Sequence, residues 1–183
     1  MNSLLKSLIV ILTTIILANA QPLAKAFQQL LIQTNMQFSI PPGFTSTPPI
    51  QNGDVAYDFA VKSKTTSLEI RYRIWPVDKT QKNPNALFEP MLVTMGLNIS
   101  NGKMIKPHRY PPESVKQEFG ADAGSTGLVP TDSEFGKGYK QCMISVIHKD
   151  NVADAYVFYL YNKQDEIMGA LTTEKVYHAL KFK

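Results

Sequence analysis

Two segments in the first half of the chain alternate strictly between apolar and polar positions. In residues 55–61 every second side chain is apolar. In residues 67–75 four apolar residues (Leu68, Ile70, Tyr72, Ile74) alternate with Glu69, Arg71, Arg73 and Trp75. A period of two predicts strands with one buried and one solvated face, as in antiparallel sheets. The polar residues 62–66 between the two segments predict a hairpin connection.

A second apolar block predicts another pair of strands, at residues 141–148 and 155–161, joined by the polar segment 149–154. The later strand is apolar on both faces, which is typical of a central strand that is covered on both sides. Shorter apolar runs at residues 38–40 and 167–171 predict two further strands. The proline- and glycine-rich residues 45–53 are expected to form a loop.

Helical spacing of apolar residues occurs in four segments. Residues 22–34 predict an amphipathic helix, residues 83–97 a second helix, and residues 113–119 one or two helical turns. The second helix either begins near Pro90 or kinks there, and Gly96 is its expected C-terminal cap. Residues 173–182 predict a closing helix that begins at Thr173.

The order of these elements predicts one α+β domain. Neighbouring strands with short links pair antiparallel, and the helices cover the sheet. We therefore expect a mainly antiparallel sheet of about five to six strands sandwiched between helices, within residues 21–183.

The first twenty residues have the pattern of a secretory signal peptide. Lys6 precedes an apolar run over residues 8–17, and the small residues Ala18-Asn19-Ala20 follow it. The run is about half the roughly 20 residues that span a bilayer. We therefore expect cleavage after Ala20 and no integral membrane anchor in the mature protein. Because Cys142 is the only cysteine, the mature domain has no internal disulfide, which favours a bacterial periplasmic or secreted protein.

Charge and side-chain spacing narrow the possible functions. Without residues 1–20 the chain has 18 basic and 15 acidic side chains, a net charge of +3 that does not indicate nucleic-acid binding. His108, His148 and His178 lie in separate segments, so no metal site is predicted, and no cofactor motif is present. Cys142 alternates with apolar residues and is expected to be a core side chain.

The glycine-rich segment 120–127 is one candidate site. Residues 122–126 differ by one residue from the D-T-G-S-T loop of aspartic proteases. This similarity suggests the hypothesis of a hydrolase in which Asp122 is the catalytic acid. That chemistry needs two carboxylates sharing a proton, hence a symmetric dimer for a single loop. One alternative is a loop whose glycines let consecutive backbone amides converge on an anion, and Asp122, Ser125 and Thr126 are the candidate ligand- or partner-binding residues of this segment. The other alternative is a structural turn in which Asp122 binds local amides.

The second candidate site is the polar face of the strand at residues 67–75. Arg71, Arg73 and Trp75 share that face, and a partly exposed tryptophan next to arginines suits contact with a ligand or a partner protein. The alternative is a face that is merely solvated or that lies under a helix.

The chain resembles the PsbP/Mog1-like group of small exported or accessory proteins. The resemblance lies in Phe38-Ser39-Ile40-Pro41-Pro42-Gly43-Phe44, the strands that follow, the mid-chain helix and the closing Ala179-Leu180-Lys181-Phe182. It implies a binding or assembly module and transfers no catalytic residue. The expected function is that of an exported, non-enzymatic binding or accessory protein, whose partner is an unidentified protein or small ligand.

Overall fold

The computed structural model describes residues 23–131 and 134–183, which contain five α-helices and nine strands. The predicted signal peptide lies outside the described residues. The helices are α1 (Lys25–Gln33), α2 (Phe88–Ile99), α3 (Pro112–Phe119), α4 (Gln164–Thr172) and α5 (Glu174–Tyr177), and a 3₁₀ turn (Pro84–Ala86) precedes α2. The strands are β1 (Met36–Phe38), β2 (Phe44–Thr47), β3 (Phe59–Ser63), β4 (Glu69–Pro76), β5 (His108–Arg109), β6 (Ala123–Pro130), β7 (Gln141–Lys149), β8 (Ala153–Tyr161) and β9 (Leu180–Phe182).

Seven strands form one antiparallel sheet in the order β2-β3-β4-β8-β7-β6-β5, and β1 pairs with β9 in a separate two-stranded sheet. The predicted α+β class is confirmed. The sheet has more strands than the expected five to six because β2, β5 and β6 lie in segments whose sequence indicates loops. No helix within residues 23–131 and 134–183 is both long and apolar enough to cross a bilayer.

Helices cover both faces of the large sheet. One face packs against apolar side chains of α1, α3 and α4, such as Phe27, Phe119 and Ile167. The other face packs against α2 through Phe88, Leu92 and other residues of that helix. The central strand β8 is buried along its whole length, as the apolar character of both its faces predicts.

Several predicted boundaries are wrong. Residues 55–58 precede β3 and are not part of it. Helix α2 begins at Phe88, so Pro90 lies in the first turn, where a backbone N–H has no partner within the helix to lose. The helix then continues past the expected cap Gly96 to Ile99.

The C-terminal region also differs from its predicted elements. Residues 164–172 form helix α4 rather than a strand, because the Glu166 carboxylate accepts backbone hydrogen bonds from Asn162 and Lys163 where the helix begins. The expected closing helix ends at Tyr177. Residues 180–182 instead form β9, whose Phe182 lies opposite Met36 of β1.

The glycine-rich segment is a strand and not a loop, contrary to the expectation. Gly120 ends α3 with φ of 61°, and residues 123–130 pair with β7. A Cβ atom on Gly124 would lie 2.8 Å from Cδ2 of Tyr110 and 2.9 Å from the carbonyl oxygen of Val146. The glycine therefore lets the Tyr110 ring cross the strand closely.

Candidate functional site

Arg71 is buried in the core and not on an open polar face, so this part of the predicted contact face is wrong. Only 1% of the residue is exposed. Its Nε donates to Oε1 of Glu69 at 2.6 Å, its Nη1 donates to the carbonyl oxygen of Phe135, and its guanidinium lies 4.8 Å from the ring centre of Tyr57. The segments around Tyr57 and Phe135 cover this position of β4.

Arg73 and Trp75, further along the same strand, do reach the surface. Trp75 is 41% exposed. The Arg73 guanidinium lies 5.5 Å from the centre of the Trp75 ring, and its Nη1 donates to Oδ1 of Asp58 at 2.8 Å. Asp58 also accepts the backbone N–H of Ile74. The Asp58 carboxylate therefore holds the Arg73 guanidinium in place, and this guanidinium forms a cation–π contact with the Trp75 ring.

Trp75 lies at one side of a groove between the end of β4 and the start of α2. Leu87 and Met91 form its apolar wall at the start of α2, and Asp154 and Tyr156 of β8 are also among the lining residues. Leu87 is 39% exposed, so two large apolar side chains of the groove lining, Trp75 and Leu87, meet solvent. The enclosed volume is about 70 Å³, well below the roughly 300–1,000 Å³ of small-molecule pockets.

His148 is buried next to this groove, and both of its ring nitrogens meet carboxylates. Nδ1 lies 2.6 Å from Oδ1 of Asp154, and Nε2 lies 2.9 Å from Oδ1 of Asp150. Burial lowers the pKa of His148, but the hydrogen bonds to Asp154 and Asp150 outweigh that effect and place the pKa above the ordinary 6.5. Both nitrogens can donate only in the protonated ring.

The imidazole also packs against α2. The Phe88 ring stacks on it at 4.9 Å, with an interplanar angle of 13°. The carbonyl oxygen of Phe88 in turn accepts a hydrogen bond from the Tyr156 hydroxyl at 3.1 Å. The turn between β7 and β8 adds a further link, because the Asn151 N–H donates to Oδ1 of Asn85. The wall of the groove is therefore attached to the sheet through the surroundings of His148.

The residues of the glycine-rich segment do not converge on a common site. Asp122 Oδ2 accepts the backbone N–H of Asp150 at 2.9 Å. The buried Ser125 hydroxyl donates to Oε1 of Glu89, and the Thr126 hydroxyl donates to the Ile144 carbonyl. These three side chains join neighbouring segments, and the backbone of residues 124–129 is paired in the sheet.

Cys142 is fully buried, as predicted, and burial raises its pKa well above the usual range. The three histidines lie apart: His178 contacts Glu118 at 3.1 Å, and His108 is exposed on β5. Within residues 23–131 and 134–183 no cluster of three or more His, Cys, Asp or Glu side chains could hold a metal ion.

A second apolar groove lies between α4 and the sheet. Its lining includes Leu128, Met143 and Met168, and its volume is about 460 Å³. Leu128 is 61% exposed. The lining residues carry no ionisable group other than Tyr161, whereas the Trp75 groove includes Asp78 and the buried Asp154.

The sequence allows the pairing of His148 with Asp154 to be predicted from the position of the hairpin turn, although the spacing of the histidines does not indicate it. In a hairpin centred on Asn151, residues 148 and 154 lie opposite each other, and the structure pairs them in this way. The contribution of Leu87 and Met91 is not visible in the sequence pattern, because the packing of α2 next to Trp75 is a long-range contact.

The chain was also compared with known proteins. No protein-family model matches the sequence, and no curated protein matches it. The structure is similar to the solution structure of cyanobacterial PsbP (CyanoP) from Synechocystis sp. PCC 6803, with a TM-score of 0.49 and 11% sequence identity. The alignment covers 82% of this chain and 88% of that chain.

Proposed function

We propose that this chain is an exported, non-enzymatic binding protein that contacts a partner protein through the Trp75 groove. The observation behind the proposal is Trp75 itself. It is a large, half-exposed aromatic side chain that contacts the Arg73 guanidinium of the Arg73–Asp58 salt bridge and lines the same groove as the apolar residues Leu87 and Met91. Tryptophan is among the residues that contribute most to protein–protein binding.

The size of the groove favours a partner protein over a small ligand. About 70 Å³ is too little to enclose a typical metabolite. An apolar side chain of a partner could insert between Trp75 and Leu87, while the surrounding surface forms the rim of the interface.

The arrangement of the ionisable groups beside the groove favours binding over catalysis. Both nitrogens of His148 are occupied by carboxylates, so the ring has no free nitrogen to act as a general base. Asp122, the acid of the hydrolase alternative, accepts a backbone N–H and is held at the end of the sheet.

A site-specific photo-crosslinking experiment tests the proposal. A photoreactive amino acid replaces Leu87 in the Trp75 groove or, as the matched control, Leu128 in the second groove. Irradiation of the exported fraction of producing cells should give a discrete protein adduct from position 87, and Trp75→Ala should abolish it. Adducts from position 128 alone, or an adduct at 87 that persists in Trp75→Ala, would contradict the proposal.

Export is tested separately on the same material. We expect the protein in the exported fraction to begin at Gln21. A protein that is retained in the cytoplasm with residues 1–20 intact would refute this part of the proposal.

A further inference from the structure

We propose that protonation of His148 regulates the Trp75 groove, with the protonated ring holding the wall of the groove in place and loss of the proton loosening it. The inference adds a form of regulation to the site described above, and its relevance to partner binding rests on the proposed function. The geometry that leads to it does not depend on any partner.

Several contacts near His148 connect the start of α2 and the end of β4 to the turn between β7 and β8. Phe88, the first residue of α2, stacks on the imidazole. Asn85 in the preceding 3₁₀ turn accepts the Asn151 N–H at 2.9 Å, and the Val77 N–H at the end of β4 donates to Val152. Leu87 lies between the first two attachment points, so a change in the hairpin is transmitted to the wall.

Trp75 is also a neighbour of the His148 cluster, because its strand β4 pairs with β8. It lies directly across from Asp154 in the pairing of β4 with β8. Asp154 lies opposite His148 in the pairing of β8 with β7. The three residues therefore form one row across three strands. A change in the Asp154 carboxylate reaches Trp75 without an intermediate residue.

The charges that face His148 determine what proton loss does. Asp154 and Asp150 contact the ring, and Asp122 holds the backbone of Asp150. On α2 the nearest charged residue in sequence to Phe88 is Glu89, which is paired with Arg109 at 2.5 Å. On the hairpin, Lys149 is directed to the Gly120 carbonyl.

With its proton, His148 is a cation between two carboxylates. Without it, one ring nitrogen presents a lone pair to a carboxylate oxygen, and the two negative charges are no longer balanced. The Asp150 side chain is 60% exposed and can turn into water, whereas that of Asp154 is 12% exposed and cannot. We therefore expect Asp150 to turn into water, which frees the hairpin, while Asp154 accepts the remaining N–H on Nδ1. The Asp154 carboxylate beside Trp75 then has a neutral ring next to it in place of a cation.

The test uses the full mature protein and needs no partner. Trp75 is the only tryptophan, so its fluorescence emission reports on this groove alone. Titration between about pH 5 and 9 spans the histidine range. It should give an emission change with a midpoint above 6.5, coincident with that of the His148 imidazole NMR signals. Burial keeps the pKa of Tyr156 above the titrated range.

Two variants and one control make the result specific. His148→Gln should remove the emission change, and Asp150→Asn should lower its midpoint because one of the two stabilising charges is lost. Asp165→Asn, an exposed acid on α4, should leave the midpoint unchanged. Circular dichroism checks that each variant is folded. If His148→Gln does not fold, the midpoint measured in Asp150→Asn alone tests the proposal.

The inference is overturned if Trp75 shows no change while His148 titrates, or if the midpoint in Asp150→Asn equals that of the wild type. Such a result would leave the proposed function untouched, because crosslinking at position 87 is measured at one pH. Conversely, a failed crosslinking experiment together with the expected titration would refute the partner contact and not the proton control.

Discussion

Replacement of Arg71 by Met should strongly destabilise the protein. The variant removes a buried guanidinium and leaves the Glu69 carboxylate with the more distant Tyr139 hydroxyl at 3.3 Å. It also leaves the Phe135 carbonyl without its donor. Because the side chain of Glu69 is only 12% exposed, solvent compensates little of this loss. Breaking a buried ion pair from one side typically costs about 3–5 kcal/mol, and we expect Arg71→Met to fall in that range.

A second substitution separates the unpaired charge from the lost packing. In the double variant Glu69→Gln/Arg71→Met no charge remains at this position, while the amide can still bind Tyr139. We expect the double variant to regain about 2 kcal/mol relative to Arg71→Met alone, because most of the loss comes from the isolated carboxylate.

Urea unfolding followed by Trp75 fluorescence and by far-ultraviolet circular dichroism measures both values. Matching transitions from the two probes establish two-state behaviour. A loss below about 1 kcal/mol in Arg71→Met would be typical of an exposed pair and would refute the argument. A double variant that is no more stable than Arg71→Met would refute the role of the isolated charge.

Three further predictions concern other parts of the fold. Glu166 accepts hydrogen bonds from Ser67 and from the backbone at the start of α4; although burial opposes them, these bonds lower its pKa from 4.5 to about 2. The stability that Glu166 contributes is therefore present above pH 4.5 and lost as the pH falls towards 2. Glu166→Gln should lower the free energy of unfolding by about 0.5–2 kcal/mol at pH 7, and it should reduce the loss of stability between pH 4.5 and 2 when unfolding is measured as a function of pH. The Cys142 thiol should not react with a thiol reagent in the native protein and should give one equivalent after unfolding; rapid native reaction would contradict its burial. Gly124→Ala should cost about 1–3 kcal/mol because the Val146 carbonyl cannot move aside, and an unchanged melting temperature would show that the strand adapts.

The sequence predicts the large sheet well where the hydrophobic pattern is strong. Strands β4, β7 and β8 follow from alternation and from apolar runs, and the burial of β8 on both faces follows from its composition. The pattern fails for β6, whose glycines suggest a loop. Those glycines serve contacts with residues far away in the sequence, such as Tyr110, and local propensity does not include such contacts.

In the candidate site, too, some features can be predicted from the sequence pattern and others depend on long-range contacts. Trp75 is recognisable from its position beside Arg73 on a strand. Arg71 has the same local pattern but is buried, because segments around residues 57 and 135 fold over it. The pairing of His148 with Asp154 follows from hairpin symmetry once the turn is located. The wall formed by Leu87 and Met91 depends on how α2 packs, and only the three-dimensional structure shows it.

The most direct test of the Trp75 groove as the contact surface is a fluorine NMR measurement on Trp75. Protein labelled with 5-fluorotryptophan has one resonance, because the chain contains one tryptophan. If Trp75 forms part of the contact surface, this resonance shifts or broadens when the protein captured by crosslinking at position 87 is added. A resonance that stays unchanged while the two proteins form a complex would show that Trp75 lies outside the contact surface.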